Sequence, residues 1–176
     1  MSSENPKMDE VRRSVEDSYN RITQLVDEKL VKLEPGQLYQ APAENEWSLM
    51  QSLAHIVEIM PYWANEIDQL VKAPGQKFGR VMSDEKRLRA IAEHGRDELA
   101  EAQAALPGGY ARLKEVLAGL TDADLAKTGI HSKYGEKPLE WHMREFVTNH
   151  LRNHLSQLQE CLVIISRTAA SPEKIA

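Results

Sequence analysis

The chain has 176 residues, a formal net charge of −5, 41% apolar and 28% charged residues, which suits one globular domain with a real core and leaves no length for a second. The acid excess argues against a nucleic-acid partner, which requires a basic face. The single cysteine, Cys161, excludes an intrachain disulfide and a cysteine-based zinc site.

Two Phe, three Trp and five Tyr are few aromatics for an all-β domain, and the long stretches rich in Ala, Leu, Glu, Lys, Arg and Gln favour helix. The opening residues Met1, Ser2, Ser3 and Glu4 have no apolar signal-like run. No segment approaches the ~20 apolar residues of a membrane span. A cytoplasmic protein without a membrane partner is expected. Val11, Val15, Ile22, Leu25, Val26 and Leu30 recur at helical spacing, which predicts a first helix from Met8 to Leu33, ended by Pro35-Gly36. Ser48, with Gln51 three residues later, is a capping-box start for a second helix to Val71, with a kink at Pro61. Residues 72–82, with Pro74, Gly75 and Gly79, read as a long exposed connection. Ser83 caps a third stretch from Asp84 to Ala105, with Gly95 a possible break and Pro107-Gly108-Gly109 a stronger one; a further piece runs from Tyr110 to Leu120, and a single kinked rod over both is the alternative. The basic run at Lys86, Arg87 and Arg89 reads as a solvated face. Thr121 to Asp124 is a cap or turn, and residues 127–137 are loop. A last helix starts at Pro138, which suits a first turn, and runs to Arg167. Ser171 to Lys174 reads as a frayed tail. One helical bundle domain over residues 1–176, with its core over about residues 8–167, is the simplest architecture.

His150 and His154 are four residues apart on the last helix and therefore share a face. At about 100° per residue they fall on a stripe with Met143, Val147, Leu158 and Cys161, while Arg152, Asn153, Gln157 and Glu160 lie on other faces. Imidazole is a costly core filler unless both ring nitrogens find partners, and a divalent metal is one such partner. On the second helix, the His55 face carries Ser48, Gln51, Ser52, Glu58, Ile59, Tyr62 and Glu66, semi-polar enough to line a wet cleft. Metal ligation and hydrogen-bonded core histidines both remain open on this pattern. His150-Leu151-Arg152-Asn153-His154 lacks the Glu of a zincin H-E-x-x-H, and the absence of a Glu-x-x-His pair disfavours a ferritin-like di-iron site.

Glu46-Trp47-Ser48 followed by His55, a Gly135-containing loop before the last helix, and His150-x-x-x-His154 followed by Leu155 and Gln157 make the chain resemble the DinB/YfiT-like superfamily. The resemblance spans Val11 to Ile165. That superfamily of metal-dependent enzymes includes thiol-dependent S-transferases. The resemblance implies an all-α four-helix bundle with a long connection between the second and third helices. It also implies a divalent metal, zinc or nickel, on His55, His150 and His154 with water completing the site, and a homodimer. Pro61, the Pro107 break and the loop around Gly75 need not follow the family pattern.

The first functional reading is a metal-dependent transferase, less so a hydrolase, acting on a small-molecule substrate with a low-molecular-weight thiol implied by the family. Glu58, Tyr62 and Glu66 are weak candidates for acid–base roles. The alternative is a non-catalytic, stress-associated dimeric bundle, or a small-molecule-binding module, whose metal is structural or absent. His142 points away from the pair, and His94 reads as a surface residue beside Gly95. His131 sits in the loop before the last helix, where lining the cleft mouth is its lesser reading. Cys161, about 10 Å along the axis from His154, is a buried core thiol too far to bind the same ion. Trp47 is a packing anchor.

Overall fold

The computed structural model describes residues 4–169. Its helices are α1 (Pro6–Glu28), α2 (Pro35–Tyr39), α3 (Leu49–Lys72), α4 (Glu85–His94), α5 (Leu99–Ala118), α6 (Leu139–Met143) and α7 (Asn149–Ala169). The last two are joined without a break by a π-helical turn, Arg144–Thr148. Strands β1 (Thr128–His131) and β2 (Gly135–Pro138) form an antiparallel hairpin just before this rod. The tail beyond Ala169, including Ser171 to Lys174, lies outside the described residues. Among the described residues no helix is long and apolar enough to cross a membrane.

The four long rods are α1, α3, α5 and α7. The main contacts are α1 with α5, α5 with α3, α3 with α7, and α7 with α1, so these rods close a ring. Consecutive rods α1 and α3 therefore sit on a diagonal, as do α5 and α7. The ring encloses Ile22 and Val26 of α1, Leu53, Ile56 and Met60 of α3, Leu106 and Leu113 of α5, and Leu151 and Leu158 of α7, all buried. Each such side chain contributes roughly 1.5–3 kcal/mol by leaving water.

Helix α3 starts as its sequence dictates: Ser48 Oγ accepts from Gln51 N at 3.2 Å, and Gln51 Oε1 accepts from Ser48 N at 3.0 Å. It continues through Pro61 to Lys72. Gly95 does end α4. Several expectations need correction. The first helix stops at Glu28, and Pro35-Gly36 opens the short α2 instead of ending a rod, because proline is preset for a first turn. The cap before Arg87 is Asp84, not Ser83. Pro107-Gly108-Gly109 does not break α5. The reason lies in α3: Pro61 has no N–H, so the Val57 carbonyl four residues back loses its helical donor. Gly109 packs there, where a Cβ would come within 3.2 Å of that oxygen and 3.3 Å of the Pro61 ring. The glycine that looked like a breaker is what allows two helices to approach.

Residues 127–137 are not plain loop. His131 pairs with Gly135 across a three-residue turn, and Gly135 takes φ +70°, the left-handed conformation such a turn needs. Nor is the 72–82 connection wholly exposed. Phe78 is buried, its N–H donates to the Ile130 carbonyl at 3.0 Å, and Ile130 N–H donates to Gln76 at 2.9 Å, so the connection lies along β1.

Candidate metal centre

His55 sits two turns into α3, where Leu53, Ala54, His55 and Ile56 are all buried in succession. No wet face is left at this level. The expectation that α3 would line a cleft fails because α2 and α4 both pack against it and cover the side opposite the core. His150 and His154 occupy the first turns of α7, directly after the π turn. The buried line of α7 runs through Leu151, Leu155 and Leu158. The two histidines lie at its edge, with His154 buried and His150 half-buried, rather than at its centre. The stripe read from the sequence otherwise holds across the π turn, with Met143, Val147, His154, Leu158 and Cys161 all buried.

The three rings meet. His55 Nε2 lies 3.2 Å from His150 Nε2, which lies 2.9 Å from His154 Nε2. The three potential ligand atoms fall within 4.8 Å of one another, so this cluster can hold a metal ion. Two ligands each 2.0–2.1 Å from a tetrahedral ion stand about 3.3–3.4 Å apart, close to the two shorter separations.

The outer nitrogens fix the tautomers. His154 Nδ1 is 2.9 Å from Gln157 Oε1, which only accepts, so Nδ1 carries the hydrogen and Nε2 the lone pair. His55 Nδ1 faces Glu58 Oε2 at 3.5 Å. Burial pushes the Glu58 carboxyl up, but the neighbouring His55 imidazole and the Arg80 guanidinium outweigh it and bring it down to about 2. An ionised Glu58 likewise favours hydrogen on His55 Nδ1 and a lone pair on Nε2. Two lone pairs thus converge on His150 Nε2, an arrangement a cation satisfies. Carboxylate or amide partners on the far nitrogen are the usual outer shell of ligating histidines. Burial is the main cause that lowers all three imidazoles. Neighbouring imidazoles add to it for His150, down to about 3, and His55 does so for His154, down to about 4. All three are neutral near pH 7 and offer lone pairs.

A cavity of about 530 Å³ opens beside the triad, lined in part by Trp47, Met82, Arg87, His150, His154 and Cys161. Trp47 does more than anchor the helix start: its ring lies nearly parallel to His154 at 6.1 Å and edge-on to His55 at 5.2 Å, walling the site. The Cys161 thiol is buried, pushed up to about 11 chiefly by burial, and its Sγ lies 3.9 Å from the Trp47 carbonyl, outside the histidine cluster.

The other candidates lie behind the site. Glu58 is gripped by Arg80 at 2.6 Å, and the Arg80 guanidinium stacks over Tyr62 at 3.9 Å. Burial raises the Tyr62 hydroxyl well above its ordinary value. Glu66 accepts from Gly79 N–H and so ties the connection to α3. None of the three lines the cavity. Gln157, read from sequence as pointing elsewhere, bonds His154; its i+3 offset was the available signal. Arg87, read as part of a solvated face, is buried and lines the cavity. His142 is buried, with Nε2 donating to the Gly129 carbonyl at 3.2 Å. His131 ends β1, buried, and does not line the cavity. His94 is exposed and pairs with Asp97 at 2.6 Å.

Residues 16–158 match the DinB superfamily. Among solved structures, the fold is similar to YfiT from Bacillus subtilis, described as a probable metal-dependent hydrolase with an unusual four-helix bundle topology. The TM-score is 0.73 at 17% identity, covering 93% of this chain and 87% of that one. It is also similar to a mycothiol-dependent maleylpyruvate isomerase (TM-score 0.68, 12% identity, 93% of this chain and 68% of that one). TT2238, a four-helix bundle protein, matches with a TM-score of 0.50 at 21% identity, over 87% of this chain and 98% of that one. No curated protein matches the sequence. At these identities the likeness establishes the fold.

Proposed function

The chain belongs to the DinB superfamily, and from that premise we propose that it is a metal-dependent enzyme whose divalent ion, zinc or nickel, is held by His55, His150 and His154. The observation that carries this is the convergence of three Nε2 atoms, with the outer nitrogens of His55 and His154 facing Glu58 and Gln157. The donor set fits: neutral imidazoles suit zinc and nickel. A divalent ion there would lower the pKa of a water or thiol it holds and so supply a nucleophile near neutral pH.

The chain's own residues divide the remaining work. Glu58 and Gln157 hold two imidazoles in the ligating tautomer, and Arg80 keeps Glu58 ionised and in place. Trp47 excludes water from one side of the triad. His150 and His154 face the cavity while His55 sits behind them, so a substrate approaches from the α7 side. Three protein ligands beside an open cavity support an enzymatic reading over a purely structural ion, which is normally closed by four. The reaction we favour is a thiol-dependent transfer. The thiol dependence of a structurally similar isomerase supports it, together with room for a second reactant in a space of about 530 Å³.

Elemental analysis of the purified protein tests the ligand assignment. About one zinc or nickel per chain is expected, and His150→Ala should lose it while keeping its helical circular dichroism. Full stoichiometry in that variant sinks the assignment. Activity is then screened with several thiols paired with electrophiles. Turnover that needs both metal and thiol upholds the transferase reading, and metal-dependent turnover with water alone favours a hydrolase.

A further inference from the structure

Arg87 is the cavity-lining group that the metal site leaves unused. It lies near the start of α4 with only 6% of its surface exposed. Its Nη1 donates to the Met82 carbonyl at 2.9 Å, and its guanidinium lies 5.1 Å from the Trp47 ring centroid. Neither contact neutralises a charge. The carboxylates whose charge it feels are Glu58 and Asp84. Both are engaged by Arg80, at 2.6 Å and 3.6 Å. Among the described residues no carboxylate lies within ion-pair range of Arg87. A guanidinium has five N–H donors in a rigid fork, and Arg87 uses one of them in the bond to Met82. A buried charge without a counter-ion is costly unless something supplies one. The two acids at the cavity rim, Glu46 and Glu160, are exposed, where water and salt screen them.

We propose that the cavity beside the histidine triad takes an organic acid, and that Arg87 binds its carboxylate. The proposal rests on the metal-site reading for the other end of the ligand and on Arg87's burial for this end. Guanidinium and carboxylate match as a two-pronged, charge-assisted pair. The half-exposed Ile164 and the exposed Met82 add apolar wall for an aliphatic body between the two ends. The carboxylate belongs either to the thiol or to the second reactant. Arg87 is thus assigned to binding and specificity.

Cobalt(II)-loaded protein tests this through the sulfur-to-cobalt charge-transfer band, a binding readout independent of turnover. The probes are mercaptoacetate, 3-mercaptopropionate and 4-mercaptobutyrate, each against the neutral mercapto-alcohol of equal length. At least one acid should bind about tenfold or more tightly than its alcohol, as a charge-assisted bond to a buried group implies. Arg87→Gln should erase that preference while leaving cobalt stoichiometry and the alcohol's affinity within about twofold. Arg87→Lys keeps the charge without the fork and should retain part of the preference; it carries the test if Arg87→Gln does not fold. Propionate that binds alongside 2-mercaptoethanol in the wild type, and is lost in Arg87→Gln, instead assigns the carboxylate to the second reactant. Acids and alcohols binding alike with no Arg87-dependent propionate binding, or a preference that survives Arg87→Gln, overturns the proposal. If no cobalt is held, the metal reading has failed. Arg87 is then judged on metal-free protein by titrating propionate against its Nε–H NMR resonance: a saturable shift upholds carboxylate binding there, and no shift ends it.

Discussion

Two groups of histidines lie wholly or largely out of water, one around the start of α7 and one around the hairpin, and burial alone does not tell them apart. On one side His55, His150 and His154 turn their Nε2 atoms toward each other. On the other, His131 and His142 pack among Phe78, Tyr134, Trp141 and Phe146. Burial lowers the affinity of both groups for protons. The difference is where the ring nitrogens go. His142 donates to a carbonyl of β1, and His131 Nδ1 accepts from Lys133 N–H at 3.0 Å, so each serves the hairpin's own backbone. In the triad the inner nitrogens have only each other. A buried histidine becomes a candidate ligand when its lone pair meets others, and a packing residue when its ring is hydrogen-bonded to the backbone beside it.

The sharpest break of that comparison is loss of metal. Replacing both His150 and His154 with alanine should abolish stoichiometric metal, whereas replacing both His131 and His142 with glutamine should leave about one ion per chain, measured by elemental analysis after dialysis. Metal retained in the first variant or lost in a folded second variant would erase the distinction. Next in size, His142→Leu should destabilise the fold by about 1–2 kcal/mol, because the buried bond from the imidazole to the Gly129 carbonyl is lost. Denaturant unfolding measures this, and metal affinity should not change. Glu58→Gln should weaken metal affinity about 10–100-fold with little change in melting temperature, the usual size of an outer-shell effect. A competition titration with a chromophoric chelator reads it, and unchanged affinity would remove Glu58 from its positioning role.

The smallest effect is in pH. Burial holds His131 and His142 below the ordinary histidine value of 6.5 in the folded state. Below about pH 6.5 the unfolded chain therefore binds protons that the folded chain refuses. The stability these residues share in is fully present above that pH and declines as pH falls through it, by at most about 1.4 kcal/mol per pH unit for each histidine. The slope of unfolding free energy between pH 6.5 and 5 should be shallower in His142→Leu than in the wild type, and equal slopes would contradict a neutral buried His142.

Much of the site was legible before any tertiary information. The Ser48–Gln51 capping box set the start of α3, and with it the phase of His55; the i, i+4 spacing placed His150 and His154 on one face. Whether Pro107-Gly108-Gly109 breaks the rod or lies within it was left open by the sequence, because the role of Gly109 depends on Val57 and Pro61 of another helix. The hairpin was missed because strands of four residues carry too little alternation to see. Arg87 was misread because local charge pattern describes a helix face, while the covering of that face by Trp47 and the 72–82 connection is a long-range event.

What the sequence by itself determined is the helical bundle and the shared face of His150 and His154, since periodicity, caps and short spacings are local properties of a helix; the family resemblance added His55 as a candidate third ligand. Only the tertiary structure decided that the three Nε2 atoms meet, that Glu58 and Gln157 face the outer nitrogens of two of the rings, and that Arg87 lines the same cavity with no carboxylate partner among the described residues. Those facts depend on which helices pack together and at what phase, and that is fixed by side-chain packing between residues as far apart in the chain as His55 and His150.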